Sequence, residues 1–521
     1  MTYDLVIRNG RVLDGEGNPW IRADIGIREG RFARIGRITG RGAREIDAAG
    51  RYVTPGWIDM MDQSGAVLIT NGLAENKLRQ GVTTAIAGES GAPVGSAKLD
   101  RYFSRLETQG VSLNFGTYYG AAQARVEVMG DIDGRPTPAQ LDAMRDHVAE
   151  AMRAGAFGIA TALIYPPDSF QTTDELVALS KVAAAHGGIY ANHMRDESAD
   201  LLTGIAEAIE IGRRAEIQVE IFHFKVAYAP GWGVLTPKAH ALIEAARADG
   251  INVAANMYLY DAGGTGLDIT VPNWVWADGT KAGLERLKDP ALRTRLKAEV
   301  AAGSQPGWSN LVHAAGGWER VVLANAFVAR YDAYRGKSLA EIGRALGEDP
   351  EDAAWNILVE GQPNRPVALY FLMSEPDIEA AVAWPWMSIG SDAAANETVG
   401  GIDALGLPHP RAYGNHPRLI AEYVKARGVL TLEDAVRKMT SWPASRMGLH
   451  DRGAIREGLF ADVVIFDYET IKDGATYAEP TAYPTGIDYV LVNGEVVVEH
   501  GRHTGAKPGA VLRGPGWTGR A

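Results

Sequence analysis

Four side chains of this 521-residue sequence stand where short apolar runs break off at a polar residue. Glu89 closes "VTTAIAGE", His193 closes "GGIYANH", His223 sits in "VEIFHFK", and Asp392 follows "WMSIGS". Each alone has a plain structural reading: a satisfied histidine, or a carboxylate capping the next helix. Together, on successive strand–helix units, they point to a metal site. One carboxylate oxygen and two imidazoles make a three-ligand set with an open position for water, as catalytic zinc requires. Water on such an ion has a pKa of about 7, so hydroxide is at hand near neutrality. Asp392 then accepts the proton and passes it to a leaving nitrogen. The chemistry is metal-assisted hydrolysis.

These residues need elements that bring strand ends to one place. Helical segments such as "TPAQLDAMRDHVAEAMRAG", "TDELVALSKVAAAHGG" and "LLTGIAEAIEIGRRAE" alternate with the brief apolar runs "GIYANHM", "IQVEIFHFK" and "INVAANMYLY". That alternation predicts parallel βα units, and its length predicts an α/β fold of (β/α)8 TIM-barrel type over residues 55–449. In such a barrel the active site lies at the C-terminal ends of the strands. Residues 1–54 and 450–521 read differently, as strand pairs punctuated by N-G, E-G and A-G turns. They predict one small β domain built from both ends of the chain. The helix-rich stretch of about 271–347 is too long for one βα connection and predicts an inserted lid.

Composition narrows the function. The chain is 46% apolar and 22% charged, with a net charge of −12 and no marked basic patch. Nucleic-acid binding is therefore not expected. The absence of cysteine excludes disulfides, thiolate nucleophiles and thiolate ligands. The N-terminus has no apolar core of a signal peptide, and no apolar run approaches the ~18 residues of a membrane span. The expectation is a cytoplasmic protein acting on a small molecule. A homo-oligomer stays open.

Several motifs in order give a more specific likeness: "VTPGWID", "RQGVTTAIAGESG", "GAFGIATALIYPP", "YANHMRDES", "WMSIGSD", "HPRAYGNHPRLIAEYV" and "DAVRKMTSWPASRMGL". Over nearly its whole length the chain resembles the N-acyl-D-amino-acid deacylase (D-aminoacylase) branch of the amidohydrolase superfamily. The resemblance implies a distorted barrel, a small β-sandwich formed by both termini, and an inserted mobile segment. It also implies that His193 and His223 bind metal, that Glu89 stands where the family has a metal-binding Cys, and that Asp392 is catalytic. Tyr165, Lys225, Tyr258 and Arg411 match positions that hold the substrate's carboxylate and amide.

Two departures qualify the likeness. Met61 and Gln63 replace the HxH pair, which in the family serves a second, weaker metal position, and Glu89 replaces the thiolate. One divalent ion is thus expected: zinc first, with manganese, iron or cobalt tolerated by the harder carboxylate. Asp59 is expected to give structural support, and strand alternation points Asp62 away from the site. The leading expectation is hydrolysis of an N-acyl amino acid or related carboxylate-bearing amide. Two alternatives remain: a cyclic-amide hydrolase like the hydantoinases, and an inactive barrel kept as a binding module. Trp274 and Trp276 could close over an acyl chain or pack the insertion. His409 and His416 flank "PRAYGN" and could orient substrate or lie behind it. Ser391 lacks the glycine pattern of a nucleophile elbow.

Overall fold

The computed structural model describes residues 3–395 and 407–519. Its centre is a set of short parallel strands separated by helices. They are β1 (Trp57–Asp62), β2 (Val82–Ala87), β3 (Asn114–Thr117), β4 (Gly158–Ala162), β5 (Ile189–His193), β6 (Val219–Ile221), β7 (Val253–Met257) and β8 (Met387–Ile389). Strands β1 to β3 form one sheet and β4 to β8 another. Tyr119 and Gly120, just past β3, pair in parallel with Ile159 and Ala160 of β4. At the opposite edge Asp62 bridges Ala393 in parallel, and the Asp392 N–H donates to Met61 O at 2.9 Å. The chain leaving β8 therefore lies against β1.

These strands are buried along nearly their whole length, as strands with covered faces must be. The helices between them start where capping chemistry says they should. Thr137 caps Pro138–Ala154 and Thr172 caps Thr173–Ala185, each in a reciprocal box with the Gln or Glu three residues on. Their apolar faces, with those of Leu201–Ala215 and Leu235–Ala248, join the strands' outer side chains in the largest apolar core.

Residues 258–386, between β7 and β8, hold a separate body. Its antiparallel sheet runs in the order Ala262–Gly266, Val367–Phe371, Val321–Asn325, under helices with their own core around Trp308, Tyr331 and Trp355. The excursion thus extends on both sides of the stretch 271–347. The reason is local: "AGGTG" is too rich in glycine to show the alternation that marks a strand.

The two chain ends share one nine-stranded sheet. Val463–Phe466 pairs antiparallel with Tyr52–Pro55, which runs parallel to Tyr3–Val12. Asp462 ties this sheet to β3: it takes Arg452 Nη1 at 2.5 Å and Asn114 Nδ2 at 3.1 Å. Among the described residues no helix is long and apolar enough to cross a membrane.

Candidate active site

Glu89, His193, His223 and Asp392 meet at one end of the parallel strands. Glu89 follows β2 through Gly88, whose φ of 107° and close packing exclude a side chain: a Cβ there would lie 2.8 Å from Thr117 Oγ1. His193 is the last residue of β5. His223 and Asp392 follow β6 and β8 with left-handed backbones, φ 34° and 49°. Both are pinned by hydrogen bonds, His223 N–H to Asn256 Oδ1 at 2.9 Å and Asp392 N–H to Met61 O. Non-glycine residues held in this region cost about 1–3 kcal/mol each, and such strain gathers at functional sites.

The two imidazoles converge on a single oxygen. His193 Nδ1 lies 2.9 Å and His223 Nε2 2.6 Å from Glu89 Oε1. One ligand atom from each of the three residues lies within 4.8 Å of the others, close enough to share one ion. Burial works against charge on Glu89, yet the two histidines outweigh it and hold the carboxyl well below its usual range. Burial and Lys225 push the His223 ring down, but Glu197 and Glu89 bring it up to about 9. One carboxylate oxygen and two imidazole nitrogens form a donor set that fits a divalent cation.

Behind the rings stands Glu197, which the sequence reading did not single out. Its Oε1 lies 2.9 Å from His223 Nδ1 and its Oε2 3.4 Å from His193 Nε2. Glu197 thus meets the His223 ring from the side away from Glu89, as partners of metal-bound histidines do, and its second oxygen lies near the His193 ring without a hydrogen bond to it. The available signal was its place four residues after His193 in "HMRDE". Lys225 joins this group rather than standing free, with Nζ 2.6 Å from Glu197 Oε1 and 2.6 Å from His223 Nδ1.

Asp392 lies on the other side of Glu89. Its Oδ2 takes Arg411 Nη2 at 2.8 Å, and its Oδ1 takes Gln63 Nε2 at 3.1 Å. Arg411 also lies 4.4 Å over the Tyr258 ring, while its Nε and Nη1 and the Tyr258 hydroxyl are buried without a hydrogen-bond partner. The Tyr165 hydroxyl bonds Thr265 Oγ1 at 2.8 Å, and its ring packs edge-on to His193. All eight residues singled out for chemistry line one cavity of about 1260 Å³.

The strand-1 residues have other work. Met61 is buried in an apolar cluster with Ile86 and Phe222. Asp59 and Asp62 both face away, onto Lys77, at 3.0 and 2.7 Å. Lys77 Nζ also reaches Ser391 Oγ and Ala393 O, each at 2.6 Å, and so ties the Asp392 turn to β1. Trp276 lines the cavity, but Trp274 is on the outer surface with Glu299 and Arg295. His409 lines the cavity and gives a ring hydrogen bond to Ala262 O at 2.7 Å. His416 is buried under β1 against Trp57, away from the mouth.

Comparison with known proteins gives the family of the chain. A profile described as the amidohydrolase family matches residues 377–498. The chain is 32% identical to a D-aminoacylase of Alcaligenes xylosoxydans xylosoxydans, over 98% of this chain and 97% of that protein. It is also 32% identical to an N-acyl-D-glutamate deacylase of the same organism, over 98% and 96%. The structure of an N-acyl-D-glutamate deacylase from Bordetella bronchiseptica, complexed with zinc and a phosphonate mimic of the tetrahedral intermediate, superposes with a TM-score of 0.82. That match covers 98% of this chain and 100% of the other at 29% identity. The fold is that of a metal-dependent amidohydrolase. Within that class the chain belongs to the N-acyl-D-amino-acid deacylase (D-aminoacylase) family, hydrolases of non-peptide carbon–nitrogen bonds.

Proposed function

We propose that this protein hydrolyses the amide of N-acyl-D-amino acids with a single divalent ion, zinc by first preference, held by Glu89, His193 and His223. The observation that carries the reading is the convergence of His193 Nδ1 and His223 Nε2 on Glu89 Oε1, within reach of Asp392 through Gln63. The D hand is taken from the relatives' substrates.

When bound, the ion polarises the scissile carbonyl and acidifies water. The side chains do the rest. Asp392 accepts the proton of the attacking water and returns it to the leaving nitrogen, a general base that becomes a general acid. Arg411 fixes Asp392 Oδ2, so the carboxylate has a set direction. The unpartnered Arg411 Nη1 and Tyr258 hydroxyl offer two donors to a substrate carboxylate inside the cavity. Lys225, already bonded to Glu197, adds positive charge beside them. Tyr165 borders the same space.

The strand order β1 to β8, the β3–β4 junction at Tyr119 and the Asp62–Ala393 bridge support a closed, distorted (β/α)8 barrel over residues 55–449. The shared terminal sheet supports one β domain from residues 1–54 and 450–521. The body at 258–386 supports the lid, with Trp276 and Leu311 over the cavity. Asp131 latches it: the carboxylate takes Thr280 N–H at 2.9 Å.

The test is turnover of matched N-acyl-D- and N-acyl-L-amino acids, before and after chelation and metal return. Hydrolysis of the D series alone, lost with the metal and regained with it, is the expected result. Hydrolysis of hydantoins instead of linear amides would replace this reading with the cyclic-amide alternative.

A further inference from the structure

Gln63 stands between the two carboxylates of the site. Its Nε2 donates to Glu89 Oε2 at 2.6 Å and to Asp392 Oδ1 at 3.1 Å. The other oxygen of each carboxylate is already engaged. Glu89 Oε1 faces the two imidazoles, and Asp392 Oδ2 faces Arg411 Nη2. The result is an unbroken run: imidazoles, Glu89, Gln63, Asp392, Arg411. The amide orientation follows from charge, because the opposite flip would set its carbonyl oxygen against two carboxylate oxygens.

The backbone makes this arrangement specific. The Gln63 N–H donates to Ala393 O at 3.2 Å, and the Asp392 N–H donates to Met61 O at 2.9 Å. Gln63 and Asp392 therefore ride on the same junction between β1 and the chain after β8. Lys77 holds that junction from beneath through Asp59, Asp62 and Ala393 O.

Two carboxylates brought this close repel unless a cation or donors lie between them. A glutamine amide supplies two N–H donors from one nitrogen and adds no net charge. We propose that Gln63 is a positioning residue whose neutral amide fills the place between Glu89 and Asp392 that a second cation would otherwise take. It leaves Glu89 one oxygen for the ion, keeps Asp392 aimed as a proton carrier, and limits the site to one metal. This rests on the metal-hydrolase reading above and adds to it the part that sets the metal count.

The experiment compares wild type, Gln63→Glu and Gln63→Met in three readouts. These are metal per chain in excess zinc, the visible spectrum of the cobalt-loaded proteins, and kcat with KM. Wild type holds one ion at any zinc excess. Gln63→Glu, which adds a third carboxylate of the same shape, binds a second. Gln63→Met keeps one ion and the melting profile, but its cobalt spectrum shifts as Glu89 Oε2 is freed. Its kcat falls about 10- to 100-fold while KM moves little, the scale expected when a partner of a metal ligand is removed. Two ions in wild type, a single ion in Gln63→Glu, or an unchanged spectrum and kcat in Gln63→Met overturns the proposal. If wild type cleaves no N-acyl amino acid, the substrate reading falls, while the metal counts and spectra still decide the role of Gln63. Should Gln63→Glu fail to fold, the Gln63→Met spectrum decides.

Discussion

At the residue scale, the proposed catalysis is divided between atoms that would meet the ion and atoms that hold those in place. Asp392 touches neither imidazole, so Asp392→Asn should keep its metal and lower kcat by about 10²–10⁴-fold, the usual contribution of a proton-transferring side chain. Elemental analysis beside steady-state kinetics checks both halves, and loss of metal with the activity would move Asp392 into the ligand set. Glu197 makes the converse case. It lies behind both rings, so Glu197→Gln should weaken metal affinity about 10- to 100-fold, read by competition with a chelating dye. Unchanged affinity would leave Glu197 as a partner of Lys225 alone. His193, His223 and Asp392 were legible in the sequence because strand ends are marked by where apolar runs stop. Glu197 and the bonds of Gln63 were not, since their roles depend on distances between segments far apart in the chain.

At the element scale, the junction between β1 and the chain after β8 depends on charge buried without water. Lys77, Asp59 and Asp62 are all fully buried and mutually paired. Removing Lys77 leaves two buried carboxylates without their cation, so Lys77→Met should cost about 3–5 kcal/mol in chemical denaturation. A cost below ~1 kcal/mol would show that the two aspartates are not held charged. His416, below β1, gives a pH signature. Burial lowers its pKa from 6.5 to about 4, with Asp59 opposing and Lys77 adding to the shift. The unfolded chain then binds the proton first. Stability is full above about pH 6.5 and falls as pH drops toward 4, by about 3 kcal/mol from this ring. His416→Asn should flatten that window in denaturation curves measured from pH 7 to 4. An unchanged slope would assign the loss to other groups. The helices and parallel strands of this region were readable from period and caps. The strand Ala262–Gly266 was not, because three of its five residues are glycine and its pairing is fixed by Val367–Phe371, a hundred residues on.

At the scale of the whole molecule, the proposed ion site sits on a scaffold with apolar cores of its own. The strand–helix layers, the body at 258–386 and the terminal sheet each have an apolar core apart from the ligands. Chelation should therefore abolish turnover and lower the melting temperature only by what binding adds. Circular dichroism should keep its helical signal, and collapse of that signal would make the metal structural. Sheet-forming ends around a βα centre were visible in the sequence as a change of period. Which tryptophan of "NWVW" faces the cavity was not, because Trp274 and Trp276 sit on one short helical turn whose orientation the surrounding body sets.

On the proposed reading one divalent ion, held by Glu89, His193 and His223, serves this site. Metal per chain, measured on protein purified without chelator and on the His193→Ala/His223→Ala double variant, tests it most directly. Close to one ion per wild-type chain and none in the variant is the expected result. Two ions per wild-type chain, or none even after reloading, would contradict it.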